Sequence, residues 1–288
     1  MLESFRRFAM SFVVALFAWS MLYMFLVYVV EPKTAITAGG TDEIPTEEPY
    51  TPTGQEDITL LVMGSTEHRA PPGAYLLASF KPTAGVVSLA ALPSNTAVIN
   101  NGKTESLTEV YSYGGAQYTQ NLISKTLGIT IDRCVRLNGE SLAAAMQIIG
   151  SMEYNLPKPL KVRRDGVLLE MQEGPQLLDG RGVLQILSHP YTGAEEQSAA
   201  ITGLVAELIT QRRDIVLSTM SEKVFTAVIN RIESDISFTD YLTRHSAAIY
   251  YAGLEDGVTH QIALAGSSES GLYHLSDTFI AELRGYFN

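Results

Sequence analysis

Five histidines are the first residues to weigh for chemistry: His68, His189, His245, His260 and His274. No two form His-x-x-x-His or His-Glu-x-x-His, the spacings that place metal ligands on one helix face. A single cysteine, Cys134, excludes an intramolecular disulfide and a zinc site built on two or more thiolates. Within Cys134-Val135-Arg136-Leu137 it reads as a small core residue. Gly-x-Ser-x-Gly is absent, and with it the strained nucleophile turn of α/β-hydrolases. Neither glycine loop that cradles phosphates is present. What remains is Gly64-Ser65-Thr66 after an apolar run, three small residues that either present backbone N–H groups to an anion or make a plain turn. The ordinary turn is the simpler reading.

Composition narrows the class. The 288 residues carry 20 Lys+Arg against 31 Asp+Glu, a formal charge of −11, with 46% hydrophobic residues. That length supports a sizeable core. A nucleic-acid binder needs a basic footprint to displace counterions, and this chain has the opposite balance.

Residues 8–30 contain no charge and include Trp19, Tyr23 and Tyr28. At about 1.5 Å per residue they make a helix of roughly 34 Å, enough to span a bilayer. Arg6 and Arg7 precede it, so the positive-inside rule leaves residues 1–7 cytoplasmic and sends the rest outside. A cleaved signal peptide is the rival reading, but its apolar region runs about 7–15 residues and ends in small residues. This one ends in Leu26-Val27-Tyr28-Val29-Val30, which favours an uncleaved signal-anchor. Residues 31–56, with Pro32, Pro45, Pro49, Pro52 and acids from Glu31 to Glu56, read as an extended, solvated spacer. Residues 57–288 form the extracellular domain.

That domain reads as mixed α/β (α+β), one central sheet flanked by helices. Strands are expected at 58–63, ended by Gly64 and buried on both faces, at 75–80, at 86–92 and at 131–137. Lys81-Pro82-Thr83-Ala84-Gly85 has turn chemistry. Helical spacing appears over 117–127 with Gly128 as C-cap, over 141–149 before Gly150, and over 195–211. Further helices are expected near 222–233, 239–250 and 276–287, the last capped by Ser276. The stripe Leu142, Met146, Ile149 reads as ordinary core rather than a lipid tunnel.

Six motifs in order carry more information than any single residue. They are Leu61-Val62-Met63-Gly64-Ser65-Thr66, Leu76-Leu77-Ala78-Ser79-Phe80-Lys81-Pro82 and Ala91-Leu92-Pro93-Ser94-Asn95-Thr96. Val110-Tyr111-Ser112-Tyr113-Gly114-Gly115, the segment from Thr126 to Arg136, and Leu178-Asp179-Gly180-Arg181-Gly182-Val183-Leu184 follow. Together they resemble the LytR–CpsA–Psr family over roughly residues 57–211, more weakly beyond, and the single-helix plan agrees. The resemblance implies a fold that holds a polyprenyl-linked substrate in an apolar groove. It also implies transfer of a glycopolymer from a polyprenyl-pyrophosphate carrier to peptidoglycan, assisted by Mg²⁺. Such chemistry needs arginines on the diphosphate and carboxylates on the ion.

This chain departs from the family pattern at those positions. The Asp expected after Gly64-Ser65 is Thr66, and the Arg and Asp of the following block fall on Pro71 and Gly73. Those of Ile-Pro-Arg-Asp fall on Ser94 and Asn95, and the later paired arginines fall near Ser188 and Pro190, around His189. Arg69, two residues before an expected arginine, and His189 are the nearest substitutes, though neither reproduces a guanidinium cluster. The first expectation is therefore a non-catalytic envelope protein, without cofactor, that binds polyprenyl-linked glycan, peptidoglycan or an envelope protein. Its groove mouth would comprise Ser65, Thr66, Arg69, Ser94, Asn95, Ser188 and His189. The alternative is a divergent transferase that uses Arg69 or His189, with Mg²⁺ near Glu67. The family's older association with transcriptional attenuation gains nothing from an acidic domain placed outside the cell.

Overall fold

The structure, a computed structural model, describes residues 50–288 except 69, 165–166 and 256–257. The expected membrane helix and residues 1–7 lie outside the described residues. Among the described residues, no helix is long and apolar enough to cross a membrane.

The elements run β1 (Ile58–Gly64), β2 (Ala74–Lys81), β3 (Val86–Pro93), β4 (Ala97–Asn100), β5 (Lys103–Ser106), α1 (Leu107–Leu127), β6 (Arg133–Leu137) and α2 (Gly139–Ile149). They continue with β7 (Met152–Leu156), β8 (Leu160–Arg164), β9 (Val167–Met171), β10 (Gly174–Leu178), α3 (Gly180–Leu187), α4 (Ala194–Gln211), α5 (Arg213–Leu217) and α6 (Ser221–Ile229). The chain closes with β11 (Glu233–Ser234), α7 (Phe238–Gly253), β12 (Val258–Gln261), β13 (Gly266–Glu269), β14 (Leu272–Leu275) and α8 (Asp277–Phe287). The fold is mixed α/β around a six-stranded sheet of order β11-β6-β1-β2-β3-β12. β1 pairs antiparallel with β2 and parallel with β6, and β3 pairs parallel with β12. Parallel neighbours require crossovers, which the helices supply.

Alternation along the strands assigns the two faces. Leu61, Met63, Tyr75, Leu77, Ala90 and Leu92 pack with Leu122, Ile123 and Leu127 of α1 and Phe279, Leu283 and Phe287 of α8. Each Leu, Ile, Met or Phe among them contributes roughly 1.5–3 kcal/mol on burial. Val62, Leu76, Ala78, Phe80, Leu89 and Ala91 face the other way, toward Ile201 of α4 and Tyr251 of α7. Ser198 anchors α4 by donating to the Ala91 carbonyl at 2.9 Å. A further cluster joins α2, α3 and α4 to the β7–β10 ribbon through Met146, Met152, Leu178, Ile186 and Leu204.

Three expectations change. Helix α1 begins at Leu107, ten residues before the expected start, behind a capping box in which Ser106 and Glu109 satisfy each other's N–H. The chain kinks at Gly115 (φ 69°, ψ −169°) and resumes the helix. Two-residue hairpin chemistry at Asn101-Gly102 (φ 49° and 82°) joins β4 to β5, a strand pair absent from the expectation. The solvated spacer does not extend to Glu56. Glu56 is buried and accepts from the Tyr50 hydroxyl at 2.9 Å and the Thr53 N–H at 3.0 Å, which closes residues 50–56 on themselves, and the Tyr50 ring lies 6.4 Å from that of Tyr250 on α7.

Candidate functional site

On the α4 face of the sheet, a cavity of about 290 Å³ opens past the C-terminal end of β1. Its walls are Val62 and Leu76 from the sheet, Leu142 and Met146 from α2, Leu184 from α3, and Ile201 from α4. Val62 is half-buried because its side of β1 borders this cavity, so β1 is not packed equally on both faces. Leu142 and Met146 belong to the hydrophobic cluster and also line the cavity. The stripe is core and groove wall at once, whereas Ile149 lines a different cavity further along the sheet.

That second cavity, about 540 Å³, lies on the same face between the sheet and α5, α6 and α7. Leu208 borders both cavities. Leu60 and Phe80 line the second on the strand faces that present Val62 and Leu76 to the first. The two therefore mark successive stretches of one apolar sheet face.

The mouth of the first cavity carries Ser65, Thr66, Pro71, Gly73, Asn138, Ser188 and Gln197. Among the described residues, no charged side chain lines this cavity. Ser65 is fixed there because its N–H donates to the Leu137 carbonyl at 2.8 Å and its hydroxyl to the Glu67 carbonyl at 2.9 Å. Thr66 lies against the start of α2: a Cβ on Gly139 would sit 3.0 Å from the Thr66 carbonyl oxygen. Asn138 caps α2, its side-chain oxygen accepting from the N–H groups of Glu140 and Ser141 at 2.9 Å. Ser188 closes the last turn of α3.

The structure thus brings Ser65, Thr66 and Ser188 of the expected mouth together and adds Asn138 and Gln197. Ser94 and Asn95 do not line the groove. The Ser94 carbonyl accepts from the Thr108 N–H and hydroxyl, both at 3.0 Å, and so caps the start of α1. Asn95 donates to the Gly271 carbonyl at 3.0 Å, holding the β13–β14 turn. His189 leaves the mouth for the β8 side, where its ring Nδ1 lies 3.2 Å from the Lys161 carbonyl and its ring meets Tyr191 edge-on at 4.8 Å. Arg69 lies outside the described residues. The capping pattern Asn138-Gly-Glu-Ser141 was legible as a helix start, and gave the signal for one residue that the sequence reading missed.

Beside the mouth, and sharing Ser65, Leu137 and Asn138 with it, is a polar cavity of about 390 Å³ that holds Arg136, Arg231, Glu140, Glu233 and His68. Arg136 pairs with both Glu233 oxygens at 2.7 and 2.8 Å and lies 5.6 Å over the Tyr111 ring. Burial raises the Tyr111 phenol, so it stays neutral beneath the guanidinium. The cavity has both signs of charge close together.

The structure defines a mixed α/β domain with a mostly apolar cavity whose mouth, among the described residues, is uncharged. The LytR_cpsA_psr family model matches residues 24–273, and the chain belongs to that family. A curated relative, the polyisoprenyl-teichoic acid–peptidoglycan teichoic acid transferase TagU of Enterococcus faecalis, is 26% identical over 176 residues, 57% of this chain and 55% of its own length. The match therefore spans little more than half of that relative. The TagU of Bacillus licheniformis is 19% identical over 76% of this chain and 72% of its own. Among solved structures, B. subtilis TagV superposes with a TM-score of 0.68 at 16% identity, covering 80% of this chain and 94% of TagV. TagT bound to LI-WTA gives 0.63 at 16% identity, covering 86% and 95%. These structures share the fold.

The Mg²⁺ implied by the family finds no matching donor set here. Thr66 and Gly73 at the mouth, and Asn95 away from it, offer no carboxylate. Among the described residues, no group of three or more His, Cys, Asp or Glu side chains could hold a metal ion.

Proposed function

We propose that this chain is a membrane-anchored envelope protein that holds the polyprenyl chain of a lipid-linked glycopolymer without transferring the glycan. One observation carries this reading: among the described residues no charge lines the groove, although Thr66, Pro71, Gly73 and Ser188 at its mouth occupy positions where the family resemblance implies clamp and metal residues. Among the described residues a diphosphate there would meet hydroxyls and amides, and neutral hydrogen bonds have about half the strength of charge-assisted ones. Hydroxyls and amides suit sugar hydroxyl groups, and the apolar wall suits a hydrocarbon chain. The relatives' names, teichoic acid and peptidoglycan among them, support an envelope glycopolymer as the ligand class. Residues 8–30 supply the anchor, with the N-terminus cytoplasmic and the domain outside.

A second reading has its own observation. Arg136, in one of the six motifs, and Arg231 stand together in the cavity that adjoins the mouth. A divergent transferase would then depend on these arginines. The test incubates the full-length protein with polyprenyl-pyrophosphate-linked glycopolymer, peptidoglycan and Mg²⁺. Saturable binding with no transfer above the protein-free control is the expected result. Transfer that is lost in Arg136→Ala and Arg231→Ala would overturn the binding-only reading in favour of the second.

A further inference from the structure

Helix α7 has an unusual outer face. Its solvent-exposed positions are Phe238, Thr239, Leu242, Thr243, Ser246, Ile249, Tyr250 and Gly253, and none is charged. Leu242 is 57% exposed and Phe238 46%. A surface helix ordinarily places its charges outward. Here Asp240, Arg244 and His245 instead turn inward to line the larger cavity. Nearby, Leu217 at the end of α5 and Met220 just before α6 are also exposed. α5 packs on α7, and the rings of Phe225, Phe238 and Tyr241 stack α6 onto it.

The tether reaches the domain at this face. Tyr50, the first described residue, lies with its ring 6.4 Å from that of Tyr250 on α7, edge to face. The 19 residues between the apolar segment and Tyr50 reach at most about 65 Å, so an anchor at residues 8–30 would keep this face within that distance of a bilayer. From the uncharged helix face, its aromatic rim and the attachment point, we propose that the α5–α7 face rests on the outer surface of the membrane. Exposed Leu, Ile and Phe enter the interfacial region, while Tyr50 and Tyr250 sit at headgroup depth. A second copy is the less suitable cover, since each chain carries −11 and like charge opposes association. The same helices wall the 540 Å³ cavity, which is lined mainly by apolar side chains with Asp240, Arg244 and His245 among them. This proposal rests on the reading of residues 8–30 as the anchor, but not on the identity of the groove ligand.

The test uses full-length protein in phosphatidylcholine vesicles, with Trp19→Phe removing the native tryptophan. Leu242→Trp places a reporter on the face, and Ile99→Trp, at a position 68% exposed on β4, is the control. With lipids brominated near the headgroup, emission from position 242 should fall roughly twofold and emission from position 99 should not change. Equal quenching at the two sites would overturn the proposal. So would a lipid-independent blue shift at position 242 that grows with protein concentration, which would assign the face to a second copy. Carbonate extraction of the same vesicles tests the anchor separately. Released protein overturns the anchor and the docking together, whereas retained but unquenched protein overturns the docking alone.

Discussion

Arg133 of β6 forks onto Asp240 of α7, Nε to Oδ2 at 2.9 Å and Nη2 to Oδ1 at 3.0 Å. Asp240 also accepts from the N–H and hydroxyl of Ser237, its partner in the capping box. One carboxylate therefore starts α7 and fastens it to the sheet. It also explains why the helix turns its charges inward.

Burial alone would raise the Asp240 carboxyl, but the hydrogen bonds from Arg133 and Ser237 outweigh it and hold the group well below the usual carboxylate range. A depressed folded-state value stabilises the protein above the unfolded value near 4, and that stability is lost as pH falls toward the folded value. Asp240→Asn should cost about 2 kcal/mol at neutral pH. It should also flatten the fall of Tm in acid. Thermal melts across pH 2–7 check both effects, and an unchanged acid slope would dissociate the pair from stability.

Glu56 behaves in the same way at the other end of the domain. The Thr53 N–H and the Tyr50 hydroxyl hold its carboxyl down to about 2. Its contact is complete above the usual carboxylate range and fails as pH approaches that low value. Glu56→Gln should increase hydrogen exchange at residues 50–57 while protection of the β1–β3 amides is retained.

The approach of α3 to α2 depends on glycine. A Cβ on Gly180 would lie 2.6 Å from the Ala143 Cα, a backbone atom that cannot move aside. Gly180→Ala should cost about 1–3 kcal/mol by overpacking and shift the walls of the groove. Gly182→Ala has its one tight contact, 3.0 Å, with the Cδ2 methyl at the end of the Leu178 side chain and should cost much less. Denaturant midpoints of the two variants provide the comparison.

Cys134 is buried, and burial, with Asp235 as the next contributor, pushes its thiol up to about 12. The thiolate is the reactive form, so the native protein should resist iodoacetamide at pH 8 and become labelled at the rate of unfolding. Rapid labelling of native protein would show that β6 opens locally.

The sheet was legible because its strands are long apolar runs with turn residues at both ends, as at Gly64 and Lys81-Pro82. The start of α1 was missed because Tyr111, Ser112, Tyr113 and two glycines have weak helix propensity, and tertiary packing of Leu107 and Val110 decides the matter. The ribbons between Met152 and Leu178 are short; β8 pairs with its neighbour β9, but the pairing of β7 with β10 is non-local. At the mouth, Ser65, Thr66 and Ser188 were found through motif order, which follows the fold. Ser94 and Asn95 failed because proximity in the motif does not show that a turn is already engaged by α1 and β14. Arg136 and Arg231 lie 95 positions apart in the chain, and only the β6–β11 pairing brings their surroundings into one cavity.

Lipid analysis of the full-length protein, purified from host membranes in detergent, tests the central claim most directly. The account predicts a polyprenyl-type lipid in mass spectra of the wild-type protein. That lipid should fall about tenfold in Leu142→Trp, whose added volume fills the groove at a cost of about 1–3 kcal/mol. A groove found empty under conditions where an arginine-bearing relative keeps its lipid, or a bound lipid unaffected by Leu142→Trp, would contradict the claim.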